Sequence, residues 1–269
     1  MPCKTSCVKV IKQLANHMRM ELPISFHCLN ILLIKNEEIE QIVNNLFYST
    51  RLSSLTKLHV ITKGINFIPA WIGQFTNLEL LDVSYNLIFQ IPPEVSLLIN
   101  LRKLDLQFNV RLNDLPDQLS QLSKLTKLNL GDNEFTRIPL SVFKLPCLKK
   151  LLLHRNHISH LPKKIKKMTR LEYLNLNHNK IRVLPDEISP LSNLQVLCIN
   201  DNELERIPDT LATLKRLVIL SVVRNRLTQL PCSMEQMSDL NVLELSKNQI
   251  WHIPEELKSK PNLAIRNSF

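Results

Sequence analysis

Apolar and polar positions along the chain follow a long repeat. Nine prolines, each preceded by Leu or Ile, recur at intervals of 23 or 24 residues. A period of this length is typical of stacked supersecondary units that share one core. The prolines are Pro69, Pro92, Pro116, Pro139, Pro162, Pro185, Pro208, Pro231 and Pro254. The pattern therefore predicts nine repeats over residues 55–262.

Each repeat begins with the same arrangement of leucines. Residues 171–193, LEYLNLNHNKIRVLPDEISPLSN, show it most clearly, with leucines at positions 1, 4 and 6 and Asn at position 9. The leucines at positions 4 and 6 are two residues apart, so both lie on one side of a short strand. The Leu-Pro pair then ends a turn before a convex segment of short-helix or 3₁₀ character. Stacked repeats place these strands in parallel.

The repeats resemble the leucine-rich-repeat family in its 23-residue, Leu-Pro-containing form, which occurs in Ras-scaffold-like and bacterial-effector-like proteins. The resemblance implies an α/β fold, a right-handed solenoid (horseshoe) with a parallel concave sheet and short convex helical or 3₁₀ segments. It also implies a non-catalytic protein–protein interaction module, an intracellular scaffold or adaptor that binds a protein partner on its concave face. A secreted bacterial effector that binds a host protein, and a regulatory subunit of an enzyme, are the alternative interpretations.

Position 9 is Asn in every repeat except the first, which has Lys63. An amide turned inward there satisfies backbone groups whose burial without a partner would cost about 1–3 kcal/mol each. We therefore expect a structural role for Asn86, Asn109, Asn133, Asn156, Asn179, Asn202, Asn225 and Asn248. Repeat 3 has one extra residue between Asn109 and Leu115, which predicts a local bulge without a change of fold.

The two ends of the chain depart from the repeat. We interpret residues 1–54 as an N-terminal helical cap with a degenerate first repeat, in which residues 29–35 resemble a strand; a membrane-surface helix is the alternative. Residues 263–269 form a C-terminal stub that begins another strand, with its edge either covered by Phe269 and its neighbours or left for a partner. Helical patterns occur at Val8, Ile11, Ala15 and Met18, and at Ile39, Ile42, Val43, Leu46 and Phe47.

The net charge of +10 is concentrated in repeat 5. Residues 148–170 contain eight Lys and Arg and no acid, which leaves 34 − 8 = 26 basic and 24 acidic residues elsewhere. Lys149 and Lys150 belong to the strand, whereas residues 163–167 belong to the convex side. One phosphate backbone could not contact both groups, so we expect a solvated belt, no nucleic-acid partner and at most a weak interaction with a membrane surface. An acidic protein partner, a lipid headgroup or a nuclear import receptor is the alternative interpretation of the belt.

The six cysteines have neither metal-binding nor disulfide spacing, and no stretch has the pattern of a cleavable leader or a membrane span. These features favour a soluble, unprocessed protein of a reducing compartment. We expect a cytoplasmic location, which for an effector would be the cytoplasm of a host cell.

No arrangement of residues predicts catalysis or a cofactor. Three scattered glycines cannot build a phosphate-binding loop, and no nucleophile–base pair or pair of carboxylates converges in the repeat register. His154, His157 and His160 are close in sequence, but the register directs them to a strand, a loop and a turn, so we expect no metal site. The chain is expected not to be an enzyme and to have no small-molecule substrate.

The outward strand positions are released from the core and gathered on one face, so we expect the partner there. A charged row in the middle repeats is predicted to steer an acidic partner. An apolar stripe toward the C-terminal end is predicted to hold the energetic centre, with Tyr173 as its best anchor. The charged row comprises Lys103, Lys127, Lys150 and Arg155. The apolar stripe comprises Tyr173, Val196, Ile219, Val223 and Val242. The other expected partner-binding residues are Tyr85, Phe108, His154 and His178.

Overall fold

A computed structural model describes residues 28–32, 55–61 and 64–267 of the 269-residue chain. Within these residues, eleven strands form one sheet, and each strand pairs in parallel with the next strand along the chain. The strands are β1 (Cys28–Leu32), β2 (Lys57–Ile61), β3 (Leu80–Asp82), β4 (Lys103–Asp105), β5 (Lys127–Asn129), β6 (Lys150–Leu152), β7 (Tyr173–Asn175), β8 (Val196–Cys198), β9 (Ile219–Ser221), β10 (Val242–Glu244) and β11 (Ala264–Arg266). This order confirms the predicted horseshoe solenoid.

Alternate strand residues face the core and the concave side. In β4 the exposed Lys103 precedes Leu104, which is buried, and Leu106 two residues further on is also buried. Leu104 pairs with Leu128 of the next strand, so position-4 leucines follow one another through the core. Complete burial of one such side chain contributes about 1.5–3 kcal/mol, which a repeat without neighbours could not obtain.

The convex side consists of short segments that follow the repeat prolines. Pro116 has a φ of −65°, and the 3₁₀ segment after it buries Leu119. The proline ring fixes φ near this value, which positions the chain for a tight turn. The 3₁₀ segments are Ala70–Gln74, Pro93–Leu97, Asp117–Gln121, Val142–Lys144, Lys163–Lys167, Asp186–Ile188, Asp209–Thr213 and Cys232–Gln236, and the last repeat has a short helix, α1 (Glu255–Lys258).

The asparagines at position 9 form a buried hydrogen-bond ladder. The Nδ2 of Asn156 donates to the carbonyl oxygens of Leu153 at 3.1 Å and of Leu130, one repeat earlier, at 2.8 Å. Its Oδ1 accepts from the backbone N–H of Phe135 at 2.9 Å. The same pattern recurs at Asn179, so each amide joins its own repeat to the preceding one. The structural role predicted for this column is confirmed.

The extra residue of repeat 3 is accommodated in a turn. The backbone N–H of Leu112 donates to the carbonyl oxygen of Asn109 at 2.7 Å, and residues 110–111 are exposed. Lys103 still pairs with Lys127 in the sheet. The insertion is therefore a local bulge, as predicted.

At the ends, strands extend the sheet beyond the nine repeats. β1 begins at Cys28, overlaps the predicted strand-like region of residues 29–35 and pairs with β2, while β11 pairs with β10. Leu263 and Ile265 are partly buried against the core. The two predicted helices of residues 1–54, Lys63 and Phe269 lie outside the described residues, so the cap remains a prediction. No helix in the described part of the chain is long and apolar enough to cross a membrane.

Candidate functional site on the concave face

The parallel register converts equivalent repeat positions into continuous rows across the concave face. Lys103 pairs with Lys127, Lys127 pairs with Lys150, and Lys150 pairs with Tyr173. Neighbouring strands lie about 4.8 Å apart, so these side chains follow one another at that spacing. The predicted charged row and apolar stripe are therefore two halves of one row, and they meet between β6 and β7.

The lysines of the row are largely accessible. Lys103 and Lys150 are exposed, Lys127 is half-buried, and none of the three forms a salt bridge with another described residue. Arg155 is also exposed, with one guanidinium nitrogen 3.8 Å from a carboxylate oxygen of Asp132. Like charges in adjacent strands repel one another, so an acidic partner would relieve this repulsion.

The apolar stripe is continuous but less exposed than its sequence pattern predicts. Tyr173 pairs with Val196, and Val196 pairs with Ile219, which in turn pairs with Val242. All of these side chains, and Val223, are half-buried. Burial raises the pKa of the Tyr173 hydroxyl, and the neighbouring Cys198 acts in the same direction. The stripe offers a closely packed apolar floor, with Tyr173 at its border with the lysines.

A polar network lies beside the lysine row in repeats 3–5. The amide of Gln107 donates to Asp132 at 2.9 Å, and His154 Nε2 lies 3.2 Å from the same carboxylate oxygen. Burial raises the pKa of Asp105, although a hydrogen bond from Asn129 opposes this shift. These contacts link three adjacent strands, so the charges of this region are held in a fixed geometry.

His154 covers the single glycine of this face. A Cβ at Gly131 would overlap the His154 ring, which explains why the position is glycine. Burial lowers the pKa of His154, whereas the negative charge of Asp132 raises it. The His154 Nδ1 is buried without a hydrogen-bond partner. This predicted partner-binding residue is thus half-buried and is held by its neighbours within the chain.

The three histidines of repeat 5 diverge as predicted. His154 lies against Asp132, His157 lies 3.1 Å from Glu134, and His160 contacts Ser159. Across residues 28–32, 55–61 and 64–267, no group of three His, Cys, Asp or Glu side chains has the arrangement of a metal site. The basic belt of this repeat also divides between β6 and the convex segment Lys163–Lys167.

The predicted residues Tyr85 and Phe108 lie on a different surface. They occupy position 8, three residues after the last residue of strands β3 and β4, and their rings stack with centroids 5.1 Å apart. Both are exposed, by 42% and 44%. Predicted residue His178 occupies the same position in repeat 6, where it is exposed and its Nε2 lies 3.7 Å from Asp201. Position 8 therefore forms a flank beside the concave face.

Further exposed apolar side chains surround the aromatic pair and were not predicted. We define the flank patch by its members, Phe67, Tyr85, Leu87, Phe89, Phe108 and Val110. Backbone hydrogen bonds from Leu87 to Ile65 and from Phe89 to Asn66 hold its segments side by side. Six of the eleven large apolar side chains that are exposed among the described residues belong to this patch, whereas Leu97 and Ile99 lie at the convex segment Pro93–Leu97.

Comparison with known proteins agrees with this architecture. A model of the leucine-rich repeat region matches residues 159–264, and a leucine-rich repeat model matches residues 76–135, 99–158 and 123–181. Together these matches extend over residues 76–264, which is more than half of the chain. The chain belongs to the leucine-rich repeat family. Its fold is one that generally serves protein interaction without catalysis.

Two curated relatives match short parts of the chain. Adenylate cyclase of Schizosaccharomyces pombe is 36% identical over 99 residues, which are 35% of this chain and 6% of that protein. Leucine-rich repeat serine/threonine-protein kinase 1 of Mus musculus is 37% identical over 76 residues, 28% of this chain and 4% of the kinase. The chain thus corresponds to a small fraction of the length of either relative.

Solved structures share the solenoid. The leucine-rich-repeat ectodomain of the Arabidopsis thaliana receptor kinase GASSHO1/SCHENGEN3, in complex with CASPARIAN STRIP INTEGRITY FACTOR 2, has a TM-score of 0.69 and 27% identity, over 80% of this chain and 27% of that chain. A Leptospira interrogans leucine-rich-repeat protein has a TM-score of 0.55 and 28% identity, and the match covers 88% of this chain and 70% of that protein. The functional domain of InlJ from Listeria monocytogenes shares the fold, with a TM-score of 0.63 and 20% identity. That match covers 80% of this chain and 49% of the InlJ chain.

Proposed function

We propose that the chain is an intracellular scaffold or adaptor that holds a protein partner on its concave face. The observation that carries this proposal is the continuous row in which Lys103, Lys127 and Lys150 lead directly into Tyr173 and the apolar stripe. The row extends over the middle and C-terminal strands, and four or five adjacent repeats could supply the roughly 800 Å² that a standard interface buries on each side.

The two halves of the row have different roles in this proposal. The lysines attract an acidic partner and raise the rate of association, an effect that added salt weakens. The apolar stripe provides the energetic centre because Tyr173 desolvates a large area at small entropic cost. An intracellular location is supported by Cys147, Cys198 and Cys232, which are free thiols.

Affinity capture with four forms of the protein tests the proposal. The first variant combines Tyr173→Ala, Ile219→Ser and Val223→Ser. The second changes the lysines at 103, 127 and 150 to Glu. The matched control changes three convex lysines to Glu, with the same change in net charge: Lys164, Lys166 and Lys167.

Proteins that bind the concave face should be captured by the wild type and by the convex control, and lost from both concave variants. For a captured protein, surface plasmon resonance should show faster dissociation from the apolar variant and slower association with the lysine variant. A partner captured equally by all four forms would contradict the concave site.

A second candidate function is a regulatory part or subunit of an enzyme. The observation that favours it is that both curated relatives are named as enzymes, adenylate cyclase and a protein kinase, and only a small part of each matches this chain. Here the partner on the concave face would be a catalytic protein. Addition of the chain to the captured partner should then change the partner's rate of turnover, whereas a scaffold would leave that rate unchanged.

A further inference from the structure

The flank patch has no role in the core or in the proposed concave site. Its aromatic members, Tyr85 and Phe108, have positive φ angles of 55° and 56°, a conformation that disfavours bulky side chains. Their backbone conformation is shared with position 8 of the later repeats, so the fold does not require aromatic rings there. An exposed apolar cluster at positions that could carry polar residues points to an interface.

All six members of the flank patch are apolar, and the exposed Arg111 adjoins it next to Val110. At the same positions of repeats 4–8, ionisable side chains pair with one another, such as Glu134 with His157 and Asp201 with Arg224. A charged partner surface would bury its own charges against these apolar side chains without any compensating ion pair, which is energetically unfavourable. A partner for this surface must itself present an apolar patch.

The size of the patch agrees with the requirement of a homodimer. Six side chains, each about two-fifths to one-half exposed, present roughly 500 Å² of apolar surface. A standard interface buries about 800 Å² per partner, and homodimer interfaces are about 65% apolar, which corresponds to roughly 500 Å². The flank patch therefore supplies the apolar core of such an interface, and neighbouring loop residues supply its polar rim.

We propose that two copies of this chain associate through the flank patch, patch against patch, about a two-fold axis. Six of the eleven exposed large apolar side chains among the described residues belong to the flank patch, and the other five are distributed around the convex segment Pro93–Leu97 and over repeats 4, 6 and 9, so the same surface serves both copies. In this arrangement the Tyr85–Phe108 pair of one copy lies against Leu87 and Val110 of the other. The concave faces stay open.

Electrostatics makes the proposal more specific. Each copy carries a net charge of +10, and its basic repeat 5 lies two repeats beyond Phe108, about 10 Å along the sheet. Salt screens repulsion over this distance, since the Debye length is about 8 Å at physiological ionic strength. Dimerisation through an apolar patch should therefore become stronger as salt is added, the opposite of an ionic interface.

Sedimentation velocity of the full chain over a wide range of concentration tests the dimer. The double variant Phe108→Asp with Val110→Glu introduces the residues that repeat 4 has at these positions, Asp132 and Glu134. Asp tolerates a positive φ, so the variant should fold, which circular dichroism verifies. A second variant, Tyr85→Asp with Leu87→Glu, tests repeat 2 independently. Trp251→Ser is the matched control, because Trp251 is 81% exposed at the other end of the solenoid.

The wild type and Trp251→Ser should show the same monomer–dimer equilibrium, and each double variant should raise the dissociation constant at least about tenfold. A wild type that stays monomeric at every concentration overturns the proposal, whether residues 1–54 or another protein covers the patch. Dimerisation that survives both double variants, or that weakens as salt is added, overturns it as well.

Discussion

Positions 8 and 10 of the repeat separate the molecule into two regions of different chemistry, which share the same backbone conformation at position 8. Repeats 2 and 3 have Tyr85, Leu87, Phe108 and Val110 there, whereas repeats 4–8 have ionisable side chains. The φ angle at position 8 stays between 51° and 60° from repeat 2 to repeat 9. The fold therefore fixes the backbone at position 8 without fixing its side chain, and the change in chemistry is what the proposed association surface would require.

Ion pairs in the later repeats show what the flank does when it only faces solvent. The carboxylate of Glu203 lies 3.2 Å from Arg182 and 3.1 Å from Arg226, which joins three repeats. These pairs are exposed, and each contributes little to stability. They keep the later repeats hydrated, while the apolar side chains of repeats 2 and 3 make that part of the flank suited to association.

The largest effect is expected where the two regions do not differ, in the shared core. Leu174→Ala should lower the free energy of unfolding by about 2–5 kcal/mol, because the side chain is fully buried and leaves a cavity. Leu140→Ala, at a position outside the flank patch that is 52% exposed, is the control and should change it by less than about 0.5 kcal/mol. Urea denaturation measures both. Equal effects of the two substitutions would contradict the assigned register.

A smaller loss is expected from the asparagine ladder. Asn156→Ala removes the partner of the carbonyl oxygens of Leu130 and Leu153 and of the N–H of Phe135, so unfolding should become about 1–3 kcal/mol easier. Asn241→Ala, at an exposed position, provides the comparison. Thermal unfolding followed by circular dichroism gives both values, and an unchanged midpoint for Asn156→Ala would show that the ladder is dispensable.

A still smaller effect on stability is expected in the flank patch itself. Phe108→Asn removes the ring contact with Tyr85, which lowers the free energy of unfolding, but Asn tolerates the positive φ at this position better than Phe, which raises it. Each contribution is about 1 kcal/mol, so the two nearly cancel. Stability of the monomer, measured by urea denaturation at low protein concentration, should stay within about 1 kcal/mol of the wild type. A larger loss would mean that the aromatic pair is part of the fold.

The pH dependence of stability tests the polar network of repeats 3–5, in which His154 lies against Asp132. Burial depresses the pKa of His154, so the native state takes up a proton less readily than the unfolded chain. His154 therefore contributes stability above the ordinary histidine pKa of about 6.5, and this stability is lost as the pH falls through the lower native value. His154→Gln should weaken the fall in urea midpoint on acidification. A steeper fall in the variant would reverse the sign assigned here.

The residues that the sequence identifies correctly are those whose neighbours are set by the period. Leu104 and Asn156 could be assigned to the core because equivalent residues of successive repeats lie next to one another. In a stack of parallel strands, the sequence period then determines which residue of the next repeat each one contacts. The charged row and the apolar stripe could be derived for the same reason. The solvent exposure of these side chains could not be derived from the sequence, because it depends on how closely side chains pack on a concave surface.

The exposure of the flank patch could not be predicted from the sequence. Leu87 and Val110 occupy position 10, and their difference from Glu134 and His157 was visible in the aligned repeats. This difference does not predict exposure, because position 10 lies outside the strand and the period does not tell whether a loop side chain turns inward. The buried Ile88 and the exposed Leu87 are adjacent and both apolar, so only the folded structure distinguishes them.

The sequence by itself determined the number of repeats, the parallel sheet and the identity of the core, because a strict period lets one repeat define all its neighbours. Only the tertiary structure decided which apolar side chains remain in water. In the folded structure, Tyr173 is half-buried among adjacent strands, whereas Phe108 stacks on Tyr85 at the surface. The physical reason is that solvent exposure depends on the packing of residues about 23 positions apart, and local composition does not contain that information.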